Sequence, residues 1–138
     1  MATLPESARQ LIASGRLAHC TTLNADGSPQ VSAVWIGLDG DEIVMAHMGD
    51  YRKLKNLRRD PRIAFSLDAA ERNGVGMQHN LVIYGTARVT EGGAADLLRH
   101  LVTVYVAPDA EFPLPADPPP GFVVHTTVDR VGGVGPWA

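Results

Sequence analysis

Apolar and polar residues alternate along six stretches of the chain, and three further stretches carry a helical rhythm. "LAHCTTLN" (17–24) alternates and is rich in β-formers, and the Asp-Gly turn 25–28 leads into a second alternating run, "PQVSAVWIGL" (29–38). These two runs and the turn between them predict a hairpin. A period of two puts Val31, Ala33 and Trp35 on one face of the second strand, and Ser32, Val34 and Ile36 on the other. "DGD" (39–41) predicts another tight turn, and "EIVMAH" (42–47) a third strand. Strands are also predicted over 62–68, 79–90 and 122–131, with Gly85 as a bulge or a point of close backbone approach. Helices are expected at 5–14, 50–61 and 91–106. Pro5 suits a first helical turn, and Gly15 ends the first helix. Leu54 and Leu57 are three apart behind Asp50, a cap, and Pro61 stops that segment. Thr90 is expected to cap the third helix. Residues 69–78 read as a glycine-containing connection, and 107–121, with six prolines, as an irregular loop. Short antiparallel strands joined by tight turns predict a mainly β chain forming a closed or partly closed six-stranded barrel.

Length changes this picture little: 138 residues fit one domain, 1–138. Hydrophobic residues at 45% and charged residues at 20% are ordinary for a globular chain. A net charge of −3 gives no general affinity for nucleic acid. Cys20 is the only cysteine, so no intrachain disulfide forms, in keeping with a reducing, cytoplasmic setting. The first twenty residues lack the basic start and apolar run of a secretory signal. No stretch approaches the roughly 20 apolar residues of a membrane span.

Charge distribution matters more than charge total. "DYRKLKNLRRDPR" (50–62) holds Arg52, Lys53, Lys55, Arg58, Arg59 and Arg62, half of the 12 basic residues and both lysines. One reading is a solvated helix face with Leu54 and Leu57 turned inward. The other is an anion site. The segment follows a strand through "HMGDY", and a helix N-terminus offers free N–H groups to phosphate. Arg52 and Lys53 sit in the first turn, where positive side chains oppose the helix dipole. With Asp60 as its one interior acid, the cluster looks too basic to neutralise itself.

The ordered set "TTLNADGSPQVSAVWI", "EIVMAH", "YRKLKNLRRDPRIAFSL" and "HNLVIYGTARVT" resembles the pyridoxamine 5'-phosphate oxidase-like split β-barrel proteins over about residues 5–131. The short spacing and the "GPW" ending look most like the actinobacterial branch that uses coenzyme F420, a deazaflavin, rather than FMN. The resemblance implies a six-stranded antiparallel split β-barrel, a homodimer with cofactor sites at the subunit interface, and hydride transfer to a small conjugated or quinone-like acceptor. It implies that Arg52 and Lys53 hold the cofactor phosphate, a task suited to a bidentate guanidinium and a point charge. Ala46 and His47 would lie beside the ribityl arm. Ser32, Val34, Trp35 and Ile36 would lie along the ring. Asn80, flanked by Gln78 and His79, would reach the cofactor from the other subunit, and Trp137 would close the site. Tyr51 and Asn56, near the basic pair, are further candidate cofactor contacts. Lys55, Arg58 and Arg59 are positioned to meet a polyglutamate tail. The alternatives are an FMN-dependent reductase or oxidase of the same fold and a non-catalytic carrier.

His47, His79 and Tyr51 are the candidate proton donors, beside solvent itself. The five histidines lack metal-ligand spacing, so no metal is expected. His19 and Tyr84 are expected in the core, and Cys20 as a small buried hydrophobe rather than a nucleophile. No nucleophile elbow, Walker or Rossmann glycine signature occurs. The proline-rich loop is either a lid or a stiff connection.

Overall fold

The computed structural model describes residues 2–138. Its elements are α1 (Glu6–Ala13), β1 (Ala18–Leu23), β2 (Pro29–Val34), β3 (Gly37–Asp39), β4 (Glu42–His47), α2 (Arg52–Arg59), β5 (Arg62–Arg72), β6 (Gln78–Glu91), α3 (Ala94–Tyr105) and β7 (Phe122–Val134). All strands belong to one sheet, ordered β2-β1-β5-β6-β7-β4-β3, and every neighbouring pair is antiparallel.

The two edge strands, β2 and β3, are consecutive in sequence. Only Trp35 and Ile36 separate them. Three Cα steps reach about 11 Å at most, so the sheet must curl until its edges nearly meet. They do not hydrogen-bond to each other, and the barrel is split along this seam. The expected strand 29–38 is therefore two strands, giving seven rather than six. β2 pairs with β1 (Ala18 opposite Val34) and β3 with β4 (Gly37 opposite Val44). Alternation continues across the break, so the pattern conceals the change of partner. The predicted faces hold: Val34 and Ile36 are buried, while Val31 and Ala33 are exposed.

The core joins alternate residues of the curled sheet, such as Cys20, Phe65, Leu67, Leu81 and Ile83, with Ala8 and Ile12 of α1. The predicted role of Gly85 is met twice. The register of β6 on β7 shifts between Tyr84 and Gly85. A Cβ on Gly85 would lie 2.4 Å from Thr126 Cγ2 and 2.6 Å from the Thr127 carbonyl.

Several expectations need correction. His19 and Tyr84 are exposed, because each follows outward parity between buried neighbours; the Arg130 guanidinium lies 4.2 Å over the Tyr84 ring. β5 and β6 extend into the presumed connection and leave a tight turn, where Asn73 Oδ1 accepts from the N–H groups of Val75 and Met77. Thr90 remains in β6. α3 begins after Gly92 and Gly93, both at positive φ, which no β-branched residue would adopt cheaply. Asp50 does not cap α2; Tyr51 occupies that position, without a side-chain hydrogen bond.

Candidate functional site

The site forms where the end of β4, the first turn of α2, the face of α3 and the proline-rich loop converge near the seam. α2 buries Lys53, Leu54, Asn56 and Leu57 on its inward face. Two of these are leucines, as predicted, and two are polar. Lys53 is only 8% exposed. Among the described residues its ammonium has no carboxylate partner. Burial lowers its pKa, opposed by the nearby Cys20 thiol. Burial in turn pushes that thiol up to about 11, so it stays protonated and offers no counter-charge at neutral pH.

His47 ends β4, opposite Phe122 of β7. Its Nε2 is buried without a hydrogen-bond partner, and its ring meets Tyr51 edge-on at 5.9 Å. Burial, aided by the Lys53 charge, lowers its pKa to about 4. The imidazole is therefore neutral at neutral pH. Ser32 Oγ is also buried and unpartnered, on the face it shares with its cross-strand partner Cys20. Unpaired buried polar groups cost about 1–3 kcal/mol each; of the four such side-chain atoms among the described residues, those of Ser32, His47, His125 and Thr126, the His47 nitrogen is the one whose residue lines the cleft.

Lys53 and His47 line a cavity of about 260 Å³ with Val34, Trp35, Ala46, Leu98 and Phe112. A second cavity of about 570 Å³ shares Ala46, His47, Leu98 and Phe112 and runs under the proline-rich loop past Tyr51 and Leu114. Together they make a cleft with apolar walls and one cationic group. Trp35 stacks on Tyr105 at 5.4 Å with 13° between the planes, and Phe112 meets Trp35 edge-on at 6.1 Å. Leu98, Tyr105 and Phe112 were not among the predicted site residues. The one signal for Phe112 is that it is the only aromatic residue in 107–121.

The basic segment divides into two parts. Arg58 pairs with Asp50 at 2.8 Å and lies over the Phe122 ring, and Arg62 pairs with Asp60 at 2.7 Å. Hydrogen bonds from Arg62 hold the Asp60 carboxyl down at about 2. Arg59 donates to the Leu23 carbonyl and to Asn56 Oδ1. The expectation that the cluster cannot neutralise itself is thus corrected for two of its six members, Arg58 and Arg62, because acids at both ends of the segment fold back onto it. Among the described residues Arg52, Lys53 and Lys55 have no such partner, and Arg59 has neutral acceptors only.

Asn56 is a structural latch rather than a cleft residue. Its Nδ2 donates to Thr22 Oγ1 at 3.1 Å and to Asn24 Oδ1 at 3.0 Å, tying α2 to the β1–β2 hairpin. Asn56→Ala is expected to lower unfolding free energy by about 2 kcal/mol in urea titration while leaving ligand affinity unchanged.

Gln78, His79, Asn80 and Trp137 do not line this cleft. Gln78 Nε2 donates to the Ala69 carbonyl at 2.6 Å, and Trp137 Nε1 to the Asn80 carbonyl at 2.9 Å. His79 meets Trp137 edge-on at 6.1 Å, and the pair lines a separate cavity of about 590 Å³ beside α1 and β5. Among the described residues no group of three His, Cys, Asp or Glu side chains is placed to hold a metal ion.

A curled antiparallel sheet with a seam crossed by two residues, and an apolar cleft opening beside that seam, defines a split β-barrel. The chain belongs to the pyridoxamine 5'-phosphate oxidase family, whose profile matches residues 4–135. Its fold is similar to that of an F420 reductase, at 22% identity over 94% of this chain and 98% of the other, with a TM-score of 0.74. It is similar also to a conserved hypothetical protein from Mycobacterium tuberculosis (20% identity, 96% and 87% covered, TM-score 0.70). An FMN-binding protein from Syntrophomonas wolfei gives 16% identity, 94% and 85% covered and a TM-score of 0.67. No curated protein matches the chain.

Proposed function

We propose that this chain is an oxidoreductase that uses reduced coenzyme F420 to deliver hydride to a small conjugated or quinone-like acceptor. The observation that carries this reading is Lys53, a side chain 8% exposed whose ammonium has no carboxylate partner among the described residues and which lines a cleft walled by Trp35. That donor set fits the phosphate arm of a flavin or deazaflavin. Lys53 would bind the phosphate, Arg52 would join it from the helix surface, and Ala46 and His47 would flank the arm. Val34 and Trp35 would lie along the ring, whereas Ile36, expected there too, is in the core and lines neither cavity. Lys55 is free to meet the carboxylates of a polyglutamate tail, whereas Arg58 and Arg59 are engaged within the chain.

When bound, the deazaflavin supplies the hydride donor, and the protein supplies orientation and exclusion of water. His47, neutral at neutral pH, serves as a hydrogen-bonding partner rather than an acid. Tyr51, half exposed beside it, and solvent are the remaining proton sources on this side of the cleft. A homodimer would bring Gln78, His79, Asn80 and Trp137 of a second copy toward this cleft. The family, and fold likeness to a protein described as an F420 reductase, support this reading.

FMN is the alternative cofactor, supported by likeness to an FMN-binding protein and by an arm with the same phosphate. Titration of the purified protein with F420 and with FMN, followed by fluorescence, separates the two. The expected result is F420 binding at least about tenfold tighter. Tighter FMN binding would replace the cofactor and keep the site; binding of neither would overturn both. Turnover of a quinone panel with reduced F420 then distinguishes an enzyme from a carrier.

A further inference from the structure

The seam leaves a problem at Ile36. This residue lies between β2 and β3, belongs to neither ladder, and is 1% exposed. Its N–H and C=O would be buried without partners. Tyr105, the last residue of α3, resolves both: its hydroxyl accepts from the Ile36 N–H at 2.9 Å and donates to the Ile36 carbonyl at 2.9 Å. One side-chain oxygen thus replaces the neighbouring strand that the split removes. The same residue stacks its ring almost flat on Trp35, which lines the cleft with Lys53. α3 sits over the seam closely enough that a Cβ on Gly37 would be 3.1 Å from Leu101 Cδ2. Burial raises the Tyr105 pKa, which keeps the phenol protonated and able to donate.

We propose that Tyr105 is a positioning residue for the cleft: its hydroxyl fixes the crossover backbone at Ile36, and its ring sets the plane of Trp35 against which a bound ring lies. The hydroxyl and the ring act on adjacent residues, so the backbone and the wall it carries are held as one piece. This inference rests on the proposed cofactor function of the cleft.

Tyr105→Phe tests it, because phenylalanine keeps the stack and removes the clamp. The amide of Ile36 should lose about tenfold in hydrogen-exchange protection. The Trp35 indole resonance should shift while that of Trp137 stays in place. Affinity for F420 or FMN, whichever the wild type binds, should fall about tenfold. Val128→Ala, a core change away from the cleft, supplies the control: at an equal loss of melting temperature it should leave affinity intact. Unchanged exchange at Ile36 would overturn the clamp. An affinity loss no greater than that of Val128→Ala would reduce Tyr105 to a structural residue and overturn the positioning role. Wild-type protein that binds neither cofactor overturns the proposed function and the positioning role with it. Full binding retained by Tyr105→Phe overturns the role of Tyr105 alone.

Discussion

Lys53→Met is expected to lower affinity for the cofactor roughly 10- to 100-fold, the worth of a charge-assisted hydrogen bond to an anion, while raising the stability of the ligand-free protein. The two effects have opposite signs for one reason. The Lys53 ammonium has no counter-charge and is partly desolvated in the folded state but hydrated in the unfolded chain, so folding is penalised until an anion arrives. Methionine fills similar space without charge, and the penalty disappears. The melting temperature of the variant should rise by about 2 °C or more. The pH dependence adds a second check. Lys53 has a lowered pKa in the folded state, so between its folded and unfolded values the unfolded chain holds more protons. Stability of the wild type therefore climbs as pH rises through that alkaline window, and the advantage of Lys53→Met shrinks. Calorimetry at neutral and alkaline pH, alongside cofactor titration, reads all three quantities. A variant that binds F420 and FMN like the wild type would remove Lys53 from the site. A variant that loses both binding and stability would make Lys53 a packing residue.

How far the sequence alone reached follows from the same residue. Strand periodicity located the faces of β2, because burial alternates wherever one side of a sheet faces a core. It concealed the break at Trp35, because a change of partner strand leaves no mark on parity. The basic run was conspicuous as composition, yet its division into paired and unpaired members depends on where Asp50 and Asp60 fold back. Lys53 and Lys55 differ by two positions, which in a helix means opposite sides: one is buried and the other exposed. Asn56 looked like a cofactor contact because it adjoins that run, but its inward position hands it to Thr22 and Asn24. Tyr105 carried no signal at all. It sits 69 residues from Ile36, and only the seam creates the backbone groups it satisfies. What a local pattern cannot express is a debt created by topology.

His47 should make the barrel sensitive to mild acid. In the unfolded chain an imidazole takes up its proton near 6.5; in the folded protein burial and the Lys53 charge delay that to about 4. Between those values the unfolded state binds more protons, so acid favours unfolding. The contribution of this group is whole above about pH 6.5, falls as pH drops toward 4, and levels off below that. A shift of this size corresponds to about 3 kcal/mol. His47→Gln keeps a polar side chain and cannot titrate. Urea unfolding at pH 7 and at pH 4.5 should show the wild type losing about 2–3 kcal/mol more than the variant; an equal loss in both would mean that His47 does not remain neutral in the fold. Carboxylates such as Asp60 titrate lower and are common to both proteins, so the difference isolates His47. An anion bound beside Lys53 would stabilise the imidazolium and bring the folded pKa back toward its ordinary value. By linkage that anion must then bind more tightly as pH falls from 6.5 toward 4, with uptake of a proton, and His47→Gln must abolish the trend. Isothermal titration of the cofactor in two buffers of different ionisation enthalpy at pH 5.5 measures that proton directly, and its absence in the wild type would separate His47 from the anion site.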